Sequence, residues 1–302
     1  MRRTLSILFC FWAINGFAQQ QAMFSQYMFN GLLINPAYSS LDETLNIKTL
    51  YRRQWTSFEG APNTQTFSIH APIKASNTSV GIIMMRDQIG EVINDKTILL
   101  TAAQRVKVAS ATYLNLGINF GVSKYSASYT DVADFDTSID PVFTDQNNLR
   151  SNIGFGVLLF SKRYFVGFSS PFFHSKIFQD NSNPGTPSFR PHYLLAAAYL
   201  LDIGESFKLK PNTLIKYVSG APVQVDLNIN LLIKERVWIG ASWRSFDSFD
   251  FLTQIEFLPG FQIGYAYDFT TSDLFDQQKG SHEIMLNYRI PLKGRSFPRC
   301  YF

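Results

Sequence analysis

The run from Val223 to Ile233, V-Q-V-D-L-N-I-N-L-L-I, alternates with period two. Val223, Val225, Leu227, Ile229, Leu231 and Ile233 fall on one face of an extended chain, and Gln224, Asp226, Asn228 and Asn230 on the other, because successive strand side chains point to opposite faces. A strand with one oily and one wet face has two uses. A soluble sandwich turns the oily face to its core; a membrane barrel turns it to lipid and keeps the wet face for the lumen. The rest of the chain must choose between them.

Composition leans toward an apolar surrounding. Among 302 residues, 28 Phe, 14 Tyr and 4 Trp make 15% aromatic against 17% charged, too little charge to cover the surface of a soluble domain. Arg2 and Arg3 precede the apolar run Leu5 to Ile14, and Gly16-Phe17-Ala18 places small residues at the third and first positions before Gln19. That is the three-part form of a secretory signal, with cleavage expected after Ala18; the apolar run is too short to span a bilayer, and Phe9 before Cys10 is too large for lipoprotein processing. Removing residues 1–18 takes away two arginines and no acids, so the formal charge of +4 falls by two. A nearly balanced chain gives no reason to expect nucleic acid. Of the two cysteines only Cys300 would remain, which excludes an intramolecular disulfide. An exported, aromatic-rich chain without a spanning helix is either a secreted all-β protein or an outer-membrane barrel.

Residues 19–45 lack sustained alternation and contain Gly31, Asn35 and Pro36, which predicts a loop or short-helical segment ahead of the first strand. From residue 46 onward strand-like runs follow one another: 46–56, 64–72, 79–88, 96–108, 112–128, 150–160, 163–174, 189–202, 206–219, 222–234, 236–246, 248–258, 261–270 and 281–291. Their number, fourteen, is even, as in bacterial outer-membrane barrels. The connections sort into two phases. After even strands they are short (73–78, 109–111, 161–162, 203–205, 235 and 259–260), and after odd strands they include the long stretches 129–149, 175–188 and 271–280. Short periplasmic turns and long extracellular loops predict this sorting; a soluble sandwich has no reason for it.

Facing assignments agree in the clearer runs. Leu114, Leu116, Ile118, Phe120 and Val122 oppose Asn115, Gly117, Asn119 and Gly121, and Phe261, Ile263, Tyr265, Tyr267 and Phe269 oppose Gln262, Gly264, Ala266 and Asp268. Phe269 and Tyr288 suit interfacial aromatic girdles. Residues 79–85 and 193–201 are apolar on both faces, which requires either a packed lumen or a shifted register. The expected fold is therefore an all-β, transmembrane antiparallel barrel of about fourteen strands over residues 46–291, preceded by a periplasmic or plug segment at 19–45 and followed by a tail at 292–302.

Two blocks near the amino terminus carry a family resemblance. Phe24-Ser25-Gln26-Tyr27-Met28-Phe29-Asn30 with Leu32-Leu33-Ile34-Asn35-Pro36-Ala37-Tyr38, then Tyr51-Arg52-Arg53-Gln54-Trp55, Phe58-Glu59-Gly60-Ala61-Pro62 and Thr64-Gln65-Thr66, resemble the opening of the PorP/SprF family of Bacteroidetes outer-membrane proteins. They cover roughly the first fifth of the chain; Gly31-Leu32 departs from the family pattern after Asn30. The resemblance implies an outer-membrane component of the type IX secretion system, with periplasmic ring and lipoprotein components as partners and a secreted cargo or gliding adhesin bearing a C-terminal signal. Lipid is the other expected partner.

Chemistry is sparse. His70, His174, His192 and His282 lie on different predicted strands or strand edges, and no Gly-x-Ser-x-Gly elbow precedes a helix, so no nucleophile stands out. Asp131, Asp134, Asp136, Asp140 and Asp145 crowd one loop but lack the spacing of a calcium loop. No catalytic residue, metal ligand or cofactor is assigned. Adjacent Arg52 and Arg53 face opposite sides of a strand, and one of them is expected to form an ion pair, with Glu59 the candidate. The conspicuous polar-aromatic set is Phe24, Gln26, Tyr27, Phe29, Asn30, Asn35, Pro36 and Tyr38. It has two readings, a plug satisfying its amides on the lumen wall or a docking surface for a periplasmic partner. The chain is accordingly read as a non-enzymatic scaffold and cargo adaptor. The alternative is a channel for hydrophobic small molecules, with an N-terminal plug and the doubly apolar segments lining its path.

Overall fold

The opening strand is inverted relative to a soluble protein. In the computed structural model Leu227 and Ile229 are 48% and 50% exposed on the outside, while Asp226 and Asn230 are 0% exposed on the inside. Residues 22–73, 76–130, 145–177, 190–271, 278–292 and 301–302 are described. The expected leader at 1–18, Asp131, Asp134, Asp136, Asp140, Asn183-Pro184-Gly185 and Cys300 lie outside them.

The strands are β1 (Thr44–Arg53), β2 (Asn63–Pro72), β3 (Thr78–Ile89), β4 (Ile93–Ala109), β5 (Thr112–Ala127), β6 (Gln146–Phe160) and β7 (Tyr164–Ile177). There follow β8 (His192–Tyr199), β9 (Leu201–Asp202), β10 (Phe207–Val218), β11 (Gln224–Ile233), β12 (Val237–Arg244), β13 (Ser248–Leu258), β14 (Phe261–Thr270) and β15 (Ser281–Pro291). β8 and β9 both pair with β10 and are separated only by Leu200, so together they form one stave. Every stave pairs antiparallel with its sequence neighbours, and β15 pairs back onto β1 from Thr44↔Pro291 to Arg53↔His282, which closes a fourteen-stave barrel. Closure leaves no free sheet edge, so each backbone N–H and C=O within hydrocarbon finds a partner in the wall. Among the described residues no helix is long and apolar enough to cross a membrane; the chain crosses with strands.

Most staves run close to the predicted ones. β13, β14 and β15 coincide with them, and β4 and β6 start three and four residues earlier, at Ile93 and Gln146. The connections 110–111, 161–163, 203–206, 234–236 and 259–260 gather at one end, which is the periplasmic end by the rule for bacterial outer-membrane barrels. One irregularity interrupts the wall: opposite Gly154 the pairing of β6 with β7 skips from Ile153↔His174 to Phe155↔Ser170. A methyl group on Gly154 would lie 2.0 Å from the Pro171 carbonyl oxygen, so glycine is what admits this bulge.

The doubly apolar segments keep their register and face a packed interior. Ile83 points inward between the outward Val80 and Met84, and Leu194, Ala196, Ala198 and Leu200 point inward between Leu195, Tyr199 and Leu201. Ile83, Leu194, Ala196 and Ala198 join a core built around the amino-terminal segment. Arg52 points inward and Arg53 outward, and Arg52 pairs with Asp268 at 2.6 Å and Glu283 at 3.3 Å instead of the expected Glu59, which is exposed in the following turn. The reason is closure: Glu283 lies directly opposite Arg52 across the seam.

The outward face should tolerate no charge near mid-strand. Ile229→Arg is expected to destabilise the barrel by about 2–4 kcal/mol in urea titrations of lipid-reconstituted protein. A loss below about 1 kcal/mol, the value for positions near the interface, would place Ile229 outside the hydrocarbon.

Candidate functional site: the lumenal strap

Residues 22–43 run through the inside of the barrel as a strap of three short 3-10 helices, Tyr27–Phe29, Gly31–Leu33 and Pro36–Ser40. Short 3-10 turns suit this sequence. Gly31, Asn35 and Pro36 interrupt any longer helix, and Asn35 caps the third turn by accepting from the Ala37 N–H at 2.9 Å, with Pro36 at its first position. Gly31 has a packing reason as well, since a methyl group there would lie 2.2 Å from the Tyr38 ring.

The strap is bonded to the wall along its length. At the long-loop end the Glu283 carboxylate accepts from the backbone N–H groups of Ser25 and Gln26 at 2.9 and 2.8 Å, while Arg52 donates to Ser25 Oγ at 2.9 Å. Arg244 Nη2 donates to the Phe24 carbonyl at 3.3 Å and its guanidinium pairs with Asp226 and Asp247, both at 3.2 Å. Farther down, Asn228 donates to Tyr27 Oη at 2.6 Å, Lys48 Nζ to the Phe29 carbonyl at 2.5 Å and Ser169 Oγ to the Ile34 carbonyl at 2.6 Å. Near the short-turn end Asn115 donates to the Ala37 carbonyl at 3.2 Å, Arg105 Nε to the Ser40 carbonyl at 2.8 Å, and Arg289 pairs with Asp42 at 3.1 Å. Burial pushes the Asp42 carboxyl up, but Arg289, His70 and the Thr44 hydrogen bonds outweigh it and hold the group below the usual carboxylate range.

Inward glycines make room for the strap. A methyl group on Gly117 would lie 2.4 Å from Ala37 N, on Gly156 2.0 Å from Asn35 Oδ1, and on Gly264 2.2 Å from Gln26 Oε1. Side chains there and the seated strap exclude one another. Asn35 Nδ2 completes the seat by donating to the Val157 carbonyl at 3.1 Å.

The structure therefore brings the eight sequence-predicted residues together inside the lumen. Phe24, Gln26, Tyr27, Asn30, Asn35, Pro36 and Tyr38 are buried and Phe29 is half-buried. Tyr38 stands edge-on to Phe165, and Phe29 lies 5.9 Å from Trp238. At the short-turn mouth Phe302 meets Phe165 edge-on, and Lys210, stacked over Trp238 and Phe29, donates to the Tyr301 carbonyl at 2.6 Å. A cavity of about 50 Å³ remains beside these groups, lined by Lys48, His70, Gln254, Asn287 and Arg289, enough for a few water molecules. Sequence reading alone missed Glu283, Arg244 and the glycine seat. The available signal was glycine on the wet face of β5 and an acid and a base on the wet faces of β15 and β12.

Away from the strap the charged side chains form local pairs, Arg150 with Asp95 and Lys208 with Asp202 and Glu235. His282 Nδ1 and Tyr265 Oη lie 2.6 Å apart on the exposed outer side, and Asp145 accepts from Thr130. Among the described residues no three metal-ligating side chains converge.

Two substitutions test the seat. Glu283→Ala leaves Arg52 and two strap N–H groups with one acceptor fewer in a buried place, and is expected to cost about 3–5 kcal/mol in the same urea titration. Gly156→Val is expected to abolish the heat-modifiable folded band in electrophoresis or to leave the strap sensitive to protease, whereas Glu205→Val, at an exposed position of the turn before β10, leaves the strap protected.

Comparison with known proteins places this architecture. Among solved structures the chain is similar to the CymD monoaromatic hydrocarbon channel, with a TM-score of 0.54 and 10% identity over 92% of this chain and 95% of that one. It is also similar to the Acinetobacter baumannii outer membrane protein Omp33, with a TM-score of 0.48 and 10% identity over 84% of this chain and 100% of that one. At such identities the first likeness speaks to the outer-membrane barrel fold alone. The search of curated proteins returns no match. The profile of the type IX secretion system membrane protein PorP/SprF matches residues 16–288, which span the strap and all of the barrel but the last three residues of β15. This barrel with its lumenal strap belongs to the PorP/SprF family of type IX secretion system membrane proteins.

Proposed function

We propose that the protein acts by contact rather than conduction, as an outer-membrane scaffold and cargo adaptor of the type IX secretion system. The observation that carries this reading is the filled lumen. The strap is hydrogen-bonded to β1, β4, β5, β6, β7, β11 and β15, and a cavity of about 50 Å³ lies beside it toward the short-turn mouth. A pathway for cargo or for a small solute needs the strap to leave, which means breaking the buried Arg289–Asp42 pair and the hydrogen bonds of Arg52 to Ser25 and of Arg244 to the Phe24 carbonyl.

Partners then meet the two rims. The short-turn rim exposes Ile203, Phe257 and Leu258 beside Lys162, Arg163 and Lys234, a mixture of apolar and basic groups of the kind that anchors transient protein contacts. We assign the periplasmic ring and lipoprotein components to this rim. The strap residues Phe24, Gln26, Tyr27, Phe29, Asn30, Asn35, Pro36 and Tyr38 then serve partner binding indirectly, by holding the rim in shape. The protein performs no catalysis in this reading.

Transport of hydrophobic small molecules is the competing outcome, and the inward Ile83, Leu194, Ala196 and Ala198 are the residues it would use. They pack on the strap instead.

The deciding experiment is a mild-detergent pull-down of tagged protein from its own outer membrane, followed by mass spectrometry and by conductance measurements on the purified barrel in planar bilayers. Ring lipoproteins or a large surface protein are expected to copurify, with recovery lost in Phe257→Glu/Leu258→Glu, and the bilayer is expected to stay closed. A lone barrel that conducts or takes up hydrophobic solutes would overturn the proposal.

A further inference from the structure

The strap crosses the lumen in one direction, and it starts at the end opposite to the one where β1 begins. Lys216 Nζ donates to Met23 Sδ at 2.8 Å, Arg244 holds the Phe24 carbonyl, and Glu283 holds Ser25 and Gln26. Lys216 lies near the end of β10, Arg244 is the last residue of β12, and Glu283 is near the start of β15. All three positions are at the long-loop ends of their strands. From there the contacts descend through Asn228 and Lys48 to Asn115, Arg105 and Arg289, and β1 departs at Thr44 from the short-turn mouth.

We propose that the chain enters the barrel from the cell-surface side, so that a chain cleaved after Ala18 carries its new amino terminus on the outer face of the membrane and not in the periplasm. The cell-surface assignment rests on the orientation used above, with short turns in the periplasm. Reach makes the point quantitative. Gln19 precedes Ala22 by three residues, which extend at most about 10 Å, whereas returning to the short-turn mouth means crossing a hydrocarbon layer of about 30 Å. Ala22 and Met23 are half-buried while Ser25 to Tyr27 are buried, as expected of a chain passing inward from a rim.

Arg52 and Lys48 lie on β1 and Glu283 and Arg289 on β15. Both sides of the closing seam thus hold the strap.

The test uses the full chain in its own cells, with Cys300→Ser and a flexible spacer carrying one cysteine inserted between Gln20 and Gln21. Two separate reporters mark the faces: Phe246→Cys in the turn 245–247, where Phe246 is 78% exposed, and Lys162→Cys in the turn 161–163. A membrane-impermeant maleimide is expected to label the spacer and Cys at 246 equally before and after outer-membrane permeabilisation, and Cys at 162 only afterwards. Labelling of the spacer in step with position 162, or only after denaturation, would overturn the entry side. If 162 labels on intact cells while the spacer and 246 wait for permeabilisation, the orientation fails and the cell-surface terminus with it, but passage of the strap through the barrel stands. Ala22→Cys provides the same readout should the spacer prevent formation of the heat-modifiable band.

Discussion

Hydrocarbon offers no partner for a peptide group, and the pairing of β15 with β1 is where this chain meets that demand. Without the seam, both edges of a fourteen-stave sheet would carry unpaired N–H and C=O groups into lipid. The seam also sets the chemistry inside. It places Arg52 opposite Glu283, residues separated by most of the sequence, and that pair in turn receives the strap through Ser25 and Gln26. Wall closure and lumen filling thus share the same side chains.

The interior obeys the opposite rule from a soluble core. Outward positions are apolar because they meet lipid, so polar side chains collect inside, and a buried polar group without a partner is costly. The strap answers this by supplying backbone carbonyls and N–H groups to Lys48, Asn115, Ser169, Arg105 and Glu283. Arg244 shows the scale of the arrangement. It is almost wholly buried, yet faces Asp226, Asp247 and Asp250 as well as the Phe24 carbonyl, which is the pairing a desolvated guanidinium requires. Glycines at 117, 156 and 264 allow the strap backbone to lie against the wall.

A barrel filled in this manner presents two rims and a belt to its surroundings, and these are what remains for partners in a secretion machine. Its general likeness to hydrocarbon channels concerns the wall; the residues that could make its lumen greasy are covered by Phe24, Met28, Leu32 and the rest of the strap core. The strap also ties the two mouths together mechanically, since one continuous segment bonds to Glu283 at one end and to Arg289 at the other.

The sequence by itself determined the staves, their facing and the phase of the loops, because strand alternation and turn chemistry are local and lipid imposes them on every stave separately. Val223 to Ile233 already displayed the two faces, and β13 to β15 were legible to the residue. The run 24–38 was legible as an aromatic and amide-rich segment outside the strands, and its two opening blocks carried the family. That Arg52 would meet Glu283 and not Glu59, that Gly156 marks the seat of Asn35, and that the strap enters by the long-loop mouth were decided only by the tertiary structure. Each depends on groups brought together by closing the ring, and no local pattern encodes a contact between residues 26 and 283.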